Sequence, residues 1–226
     1  MANQTAKISK RQQRAAAKAK AARLKRMRII GIVGIVALTA VALIFWRSSS
    51  TEEANQLITN TPPNLLGPAD APVRIVEFGD FGCPACRSWH NSGVKDRLIA
   101  EFGDQISFEF RHFPVITAQS PLAAEAAQCA AAQGAFWAFH DYIYENTSIG
   151  ALSKSDLEQD AAAIGLNTAE FNTCLDSGQY QSLVRDHYQQ ALQAGARGTP
   201  TFLINGQQVS FSYDSMAATI RQILGN

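Results

Sequence analysis

The stretch VRIVEFGDFGCPAC, residues 73–86, decides the fold of this chain. Its first six residues, 73–78, form a short run rich in β-branched side chains, which predicts a central strand. Residues 79–82, GDFG, predict a turn. The CPAC segment follows at 83–86, and we predict that a helix begins there and continues through residues 87–102.

The CPAC segment combines two cysteines with the start of a helix. Cys83 lies at the helix N-terminus, where unpaired N–H groups and the helix dipole favour an anion. Its thiolate is therefore stabilised, its pKa falls, and it becomes the nucleophile at neutral pH. Cys86 lies one turn further along, within disulfide reach, and is the expected resolving cysteine. Pro84 suits an early helix position, where the missing N–H costs nothing.

Two other interpretations of CPAC stay open. A zinc site would need two more ligands at suitable spacing, which Cys129 and Cys174 lack, so we predict no metal. A purely structural disulfide is the second alternative. A four-residue loop at a helix start is strained, however, and strained, exposed disulfides are the labile ones. We also predict that the chemistry needs no bound cofactor.

The rest of the globular part follows the order strand, helical block, strand, strand, helix. Residues 106–113 alternate and predict a strand. Residues 118–194 are rich in Ala, Leu, Gln and Glu, which predicts a helical insertion of three or more helices. Residues 201–204 and 209–211 flank an Asn-Gly turn and predict a hairpin. Residues 215–224 predict a closing helix.

The two ends of the chain differ in charge. Residues 1–28 hold ten Lys and Arg and no acid, whereas residues 47–226 hold ten basic residues against nineteen acids, a net charge of −9. Residues 29–46 are uncharged, and as a helix of about 27 Å they can cross a hydrocarbon core. We predict a cytoplasmic tail at 1–28, a transmembrane helix at 29–46 and a linker at 47–64. The positive-inside rule then makes this a single-pass cell-membrane protein with its domain outside the cytoplasm.

The alternative for the N-terminal segment is a cleaved signal peptide. Such a peptide normally has a shorter apolar region and a much shorter basic region, so we favour a retained signal-anchor. Export of residues 65–226 follows in either case. The basic tail contains no aromatic residue or motif for nucleic acid, and we predict no nucleic-acid partner.

Four phrases in the globular part occur in a recognisable order. They are the opening stretch, QGAFWAFHD at 133–141, FNTCLDSG at 171–178 and GTPTFLING at 198–206. Together they resemble the DsbA-like thioredoxin-fold thiol–disulfide oxidoreductases, and most closely the membrane- or lipid-anchored exported branch. The resemblance covers residues 65–226. It implies an α/β thioredoxin-type fold with a helical insertion and a mixed sheet of four or five strands.

The resemblance also implies roles for individual residues. Cys83 would be the exposed attacking cysteine and Cys86 the buried one. Thr199 and Pro200 would form a cis-Pro segment that faces CPAC and pairs with an extended substrate chain. On the residues alone a cis bond there is a weak signal, since only about one X–Pro bond in twenty is cis. Glu77 would be a buried proton acceptor near the resolving cysteine, the alternative being a strand acid that faces the surface.

The other two cysteines lie on predicted helices of the insertion. The phrases around Cys129 and Cys174 imply that they face each other and form a structural disulfide. The alternative is two small buried thiols, since free cysteine packs well in a core. His140 and Asp141 have no third partner in the sequence, and we assign them to a helix surface or a helix end.

The function that the resemblance implies is the introduction of disulfides into reduced exported proteins. A membrane quinone-linked partner would reoxidise the pair. One departure concerns Ala85, because the strongest oxidases of this kind carry a histidine there to stabilise the thiolate. A reductase or isomerase with the same fold is therefore the first alternative. A binding module that holds extended chains without catalysis is the second.

Overall fold

A computed structural model describes residues 64–225. The predicted tail at 1–28, the transmembrane helix at 29–46 and nearly all of the linker at 47–64 lie outside the described residues. Within residues 64–225, no helix combines the length and the apolar character that crossing a membrane requires.

A five-stranded mixed sheet forms the centre of the described part, with strand order β1-β3-β2-β4-β5. Strand β2 pairs in parallel with β3, and the other neighbouring pairs are antiparallel. The strands are β1 (Leu65–Leu66), β2 (Val73–Gly79), β3 (Ile106–His112), β4 (Thr201–Ile204) and β5 (Gln207–Val209). The predicted α/β thioredoxin-type fold with its helical insertion is thus confirmed.

The hairpin at the edge of the sheet differs from its prediction. Its second strand was expected at 209–211 and lies at Gln207–Val209. The reason is the two-residue turn at Asn205 and Gly206, which both have positive φ, 46° and 84°. This turn places Gln207 directly opposite Ile204, so pairing starts two residues earlier.

Strand β2 is buried on both faces, which explains its run of apolar residues. On one face Ile75 packs with residues of the segment after CPAC and of the C-terminal helix. On the other face Val76 and Phe78 pack with Ala191 near the end of the insertion. The strand therefore fixes the position of residues 80–86, which follow its carboxyl end.

The helix predicted from CPAC to residue 102 is two helices. Helix α1 spans Pro84–Asn91 and α2 spans Val94–Phe102. Gly93 lies between them with φ of 68°, a left-handed conformation that ends a helix and that glycine adopts without a steric penalty. The prediction of a single helix was wrong because Gly93 ends the first helix.

The insertion between β3 and β4 consists of five helices within the described residues. They are α3 (Ser120–Ala131), α4 (Phe136–Asn146), α5 (Lys154–Ala163), α6 (Thr168–Ser177) and α7 (Gln181–Gln193). A final helix, α8 (Tyr213–Leu224), is capped by Ser212, whose side chain accepts a hydrogen bond from the N–H of Ser215. The core of the insertion is built from alanines of α3 packed against Phe136, Phe139 and Phe171.

A disulfide joins α3 to α6. It links Cys129 to Cys174, 45 residues apart in sequence. The pairing that the resemblance implied is therefore present in the structure. Because it closes a long loop, it removes conformational entropy from the unfolded chain.

Removing this disulfide is expected to destabilise the insertion. The double variant Cys129→Ala, Cys174→Ala should lose about 4 kcal/mol of unfolding free energy in the chain-entropy account. For a domain of this size that corresponds to a Tm about 10 °C lower, measurable by circular dichroism. The control is the wild-type protein with only Cys83 and Cys86 reduced. Equal Tm values for variant and control would contradict a stabilising role for this disulfide.

Candidate active site

The CPAC segment lies at the carboxyl end of β2, and Cys83 caps helix α1. Its Sγ accepts a hydrogen bond from the N–H of Cys86 at 3.5 Å, and Pro84 occupies the first turn. The N–H of Cys83 donates to the carbonyl of Asp80 at 2.9 Å. Cys83 and Cys86 are both free thiols, so the structure shows the reduced form of the pair. A cap position gives the sulfur the same donors that a Ser or Asp cap would use.

The Thr199–Pro200 peptide bond is cis, and this segment faces CPAC. The Sγ of Cys83 donates to the carbonyl of Thr199 at 3.3 Å. The Oγ1 of Thr199 is buried and has no hydrogen-bond partner among the described residues. That hydroxyl is therefore free to donate to the sulfur once Cys83 has lost its proton.

Cys83 is less exposed than the resemblance implied. It is 3% exposed and Cys86 is 0% exposed, because the segment at Thr199 covers the sulfur. The pKa of Cys83 is nevertheless lowered to about 6. The hydrogen bond with Cys86 is the main cause, the Thr199 side chain adds to it, and burial opposes both. Burial raises the pKa of Cys86 far above its usual value, the hydrogen bond with Cys83 adds to the rise, and a backbone hydrogen bond at Asp80 offsets only part of it.

Glu77 is buried beneath this pair on β2. It is 3% exposed, so the alternative of a surface-facing acid is excluded. Burial raises the pKa of Glu77 to about 8, the positive charge of Lys95 opposes the rise, and Cys83 adds to it. The carboxyl group consequently holds its proton at neutral pH, while the nearby Cys83 thiol does not.

Sequence reasoning missed Lys95, the buried cation of this site. Lys95 lies on α2 and is 7% exposed. Its Nζ donates to Asp141 of α4 at 3.2 Å and lies 4.8 Å from the centre of the Trp137 ring. The partner acid comes from the insertion, 46 residues further along the chain. No local pattern connects the two, and only the unusual Lys on an apolar helix face could have suggested it.

The assignment of His140 to a helix surface was wrong. His140 is 2% exposed and its ring centre lies 5.0 Å from that of Phe110. Its Nδ1 hydrogen-bonds to Asp141 at 2.7 Å, and burial lowers the pKa of His140 to about 4. The third partner that the sequence did not reveal is Lys95, which shares the same Asp141 oxygen.

His90, His140 and Asp141 offer nitrogen and oxygen atoms within 4.8 Å of one another, the kind of grouping that can hold a metal ion. The Lys95 ammonium group, however, bonds to the same Asp141 oxygen. A second cation at that oxygen would be repelled at close range. The donor set therefore fits an internal ion-pair cluster better than a metal site.

Asp80 fixes the loop that leads into CPAC. Its Oδ1 accepts from the N–H of Gly82 at 2.7 Å. Its Oδ2 accepts from the N–H groups of Val115 and Ile116 at 2.7 and 2.8 Å. Gly82 leaves room here for the side chain of Ser120, since a Cβ would meet the Ser120 Oγ at 2.8 Å.

Two side chains of α1 tie the active-site helix to its surroundings. Arg87 donates to the carbonyls of Tyr144 and Thr147, both at 2.6 Å, and so joins α1 to the insertion. Trp89 donates from Nε1 to the carbonyl of Phe211 at 2.8 Å. These hydrogen bonds fix α1, and with it both cysteines, relative to the insertion and to the segment before α8.

A groove runs beside the redox pair, and we call it the cis-Pro groove. Its cavity volume is about 580 Å³, and its lining includes Ala85, Pro200 and Phe211. Phe211 is 53% exposed, an unusual exposure for a large apolar side chain. The groove therefore offers apolar surface next to the backbone segment that contacts the reacting sulfur.

The fold and this site match a known family. The family described as Thioredoxin matches residues 59–222, well over half of the chain, and the chain belongs to it. "Probable disulfide bond formation protein D" of Bacillus anthracis is 30% identical over 184 residues, which cover 75% of this chain and 82% of that relative. The oxidised crystal structure of BdbD from Bacillus subtilis covers 72% of this chain and 93% of its own, with a TM-score of 0.64 and 25% identity. The chain is thus a DsbA-like thiol–disulfide oxidoreductase.

A second kind of relative is much longer than this chain. The Na(+)/H(+) antiporter NhaA of Herminiimonas arsenicoxydans is 36% identical over 156 residues, 69% of this chain. The chain spans about a quarter of that relative, 24% of its length. The likeness therefore concerns a domain, and antiport is a property of the longer protein.

The role of Glu77 can be tested by Glu77→Gln, which keeps the shape of the side chain and removes the ionisable proton. Oxidation of a dithiol peptide at pH 7 should slow on the order of a hundredfold, since general acid–base help is lost. Once each rate is divided by the thiolate fraction of the peptide, the wild-type rate should fall as the pH rises through about 8, where Glu77 loses its proton, and the variant's should not.

The control is alkylation of reduced Cys83, which does not need a proton from Glu77. Its rate should follow a pKa near 6 in both proteins. Equal peptide oxidation rates in the variant and the wild type would show that Glu77 takes no part in proton transfer.

Proposed function

We propose that this protein introduces disulfide bonds into exported proteins through the Cys83–Cys86 pair, while anchored to the cell membrane. The observation that carries the proposal is the lowered pKa of Cys83, about 6. A stabilised thiolate stabilises the reduced pair, and a pair whose reduced form is stable gives its disulfide away readily. The named role of the Bacillus anthracis relative in disulfide bond formation supports the same direction.

The first step is attack by a substrate thiolate on the Sγ of Cys83 in the oxidised pair. The bond between Cys83 and Cys86 breaks, a mixed disulfide forms on Cys83, and Cys86 leaves as a thiolate. That thiolate is fully buried and its charge is strongly disfavoured. Glu77 holds a proton at neutral pH and supplies it to Cys86.

The second step releases the product. A second substrate thiol loses its proton to solvent and attacks the substrate sulfur of the mixed disulfide. The new substrate disulfide forms and Cys83 leaves as a thiolate, which its hydrogen bonds stabilise. In total the substrate gives two electrons to the enzyme pair and two protons to solvent. Solvent returns one proton to Glu77, which gave its own to Cys86, and Cys83 remains a thiolate.

The cis-Pro groove supports binding of an extended substrate segment. Thr199 and Pro200 present backbone beside the sulfur, and Phe211 presents apolar area. A chain segment pairing with Thr199 would bring its cysteine to Cys83 without folding around it. Unfolded or partly folded proteins with free cysteines are thus the proposed substrates.

The reduced pair must pass two electrons to an oxidant before the next cycle. The proposed oxidant is a membrane quinone-linked partner, which the family resemblance implies. Residues 29–46 support this proposal, because an apolar anchor would hold both proteins in one plane and raise their effective concentration. The likeness of this domain to part of a protein named as an antiporter is a second link to membranes.

The proposed anchor predicts membrane association of the full chain. Expressed in a bacterial host, it should sediment with membranes and be released by detergent but not by alkaline carbonate. A variant lacking residues 1–46 should appear in the soluble fraction. N-terminal sequencing of the mature full chain separates the alternatives: a start at Met1 or Ala2 supports the anchor, and a start beyond residue 46 would show a cleaved signal peptide.

The redox direction is tested by the reduction potential of Cys83–Cys86 in the full-length protein. Trp89 is buried against this site and its fluorescence can report the equilibrium in glutathione buffers. We expect a value near or above about −180 mV, together with oxidation of a reduced, unfolded substrate protein. A value near about −270 mV would move the protein to the reductases. The Cys83→Ser variant is the control, and substrate protection by that variant equal to wild type would favour a binding module.

A further inference from the structure

One charged side chain lines the cis-Pro groove. Among the residues that form it, Arg197 alone carries a charge, and the others are apolar or neutral polar residues such as Ala85, Gln208 and Phe211. Arg197 is exposed to solvent and is two residues before Thr199, whose carbonyl contacts the Sγ of Cys83 at 3.3 Å. A positive charge therefore belongs to the lining of the groove, two residues along the chain from the backbone contact to the reacting sulfur.

The other cations of the described part have partners. Residues 64–225 contain eight Lys and Arg besides Arg197. Seven of them make an ion pair, a side-chain hydrogen bond or a ring contact: Arg74, Arg87, Lys95, Arg97, Arg111, Lys154 and Arg221. The eighth is Arg185, which lies near Glu125. Burial raises the pKa of Glu125, and the positive charge of Arg185 opposes that rise.

Arg197 has no such contact within residues 64–225. A guanidinium group that is not used by the fold, and that lies in a binding groove, is available to a ligand. Arg presents a planar fork of donors that matches a carboxylate. We propose that Arg197 makes the groove selective for substrate segments with an acidic side chain about two residues from the reacting cysteine.

This proposal rests on the proposed function, since it names the substrates of the same site. The distance of two residues follows from spacing along the chain, since Arg197 precedes Thr199 by two residues. An extended substrate advances about 3.3 Å per residue. A substrate cysteine held beside Thr199 therefore brings a residue about two positions away toward Arg197.

The net charge of the exported part acts in the opposite sense. Residues 47–226 carry a net charge of −9, which would repel acidic peptides at long range. Salt screens that repulsion beyond about 8 Å at physiological ionic strength. A contact at Arg197 is local and survives, so the preference should depend on the position of the acid and not on total peptide charge.

The test uses peptides that carry one cysteine joined to thionitrobenzoate as a mixed disulfide. The full-length Cys86→Ser variant attacks the peptide sulfur with Cys83, forms the enzyme–peptide disulfide and releases coloured thionitrobenzoate. Glu, Gln or Lys is placed in turn at each position from three before to three after the cysteine. Each rate is divided by the rate of the same peptide with 2-mercaptoethanol, which removes intrinsic reactivity.

At one position, about two residues from the cysteine, Glu should react about two- to fivefold faster than Gln, the range for an exposed ion pair. Lys should react more slowly than Gln there. Adding Arg197→Gln should remove the Glu preference and Arg197→Glu should reverse it. The matched control Arg185→Gln, an exposed arginine of α7, should keep the preference.

The outcomes separate this inference from the proposed function. If the peptides react with no dependence on charge, or if Arg197→Gln keeps the Glu preference, the inference is wrong and the proposed function stands. If no peptide reacts faster than with 2-mercaptoethanol, the groove does not serve protein thiols and the proposed function fails. A preference that follows total peptide charge at every position would also overturn the role of Arg197.

Discussion

The chemistry of this site depends on stabilising a negative charge on a sulfur atom that is almost buried. Cys83 is 3% exposed, and burial by itself would raise its pKa. Donors from Cys86 and Thr199 outweigh burial and bring the pKa to about 6. They come from the first turn of α1 and from the segment before β4, so these two elements must meet at one atom. Three features hold α1 in position for this contact: the cap position of Cys83, the loop that Asp80 fixes and the hydrogen bonds of Arg87.

Burial of Glu77, together with the hydrogen-bond donors to Cys83, reverses the order in which these two groups lose their protons. In water a glutamate ionises far below a cysteine, with reference pKa values of 4.5 and 9.0. Here Cys83 ionises near 6 and Glu77 near 8. The site is thus a thiolate above a protonated carboxyl at neutral pH. Each charge disfavours the other, so ionising both together is costly, and a proton held on Glu77 leaves Cys83 free to act.

Local sequence signals predicted the elements that carry the chemistry. The strand before CPAC, the helix that starts at Pro84 and the Asn205–Gly206 turn each follow from a few neighbouring residues. The burial of Glu77 and the cis bond at Thr199 came through family resemblance, because neither has a local signature. Lys95 and its partner Asp141 could not be predicted, since they come from separate helices and their contact depends on how the insertion packs.

The insertion therefore does more than cover the sheet. Its helix α4 supplies Asp141, which holds Lys95, and the carbonyl of Tyr144, which holds Arg87. The first contact places a positive charge near Glu77 and limits the rise of its pKa. The second fixes the orientation of the helix on which Cys86 lies. Without the first contact, no other group among the described residues would oppose the effect of burial on the pKa of Glu77 to the same degree.

The absence of a histidine at position 85 does not prevent a lowered pKa at Cys83. The main donors to Cys83 are the Cys86 and Thr199 side chains, and Ala85 contributes through its backbone. A thiolate can therefore be stabilised strongly with no charged side chain at that position. Ala85 is exposed at the groove, where its small side chain leaves space that a histidine ring would fill. With alanine at position 85, Arg197 is the one charged residue in the lining of the groove.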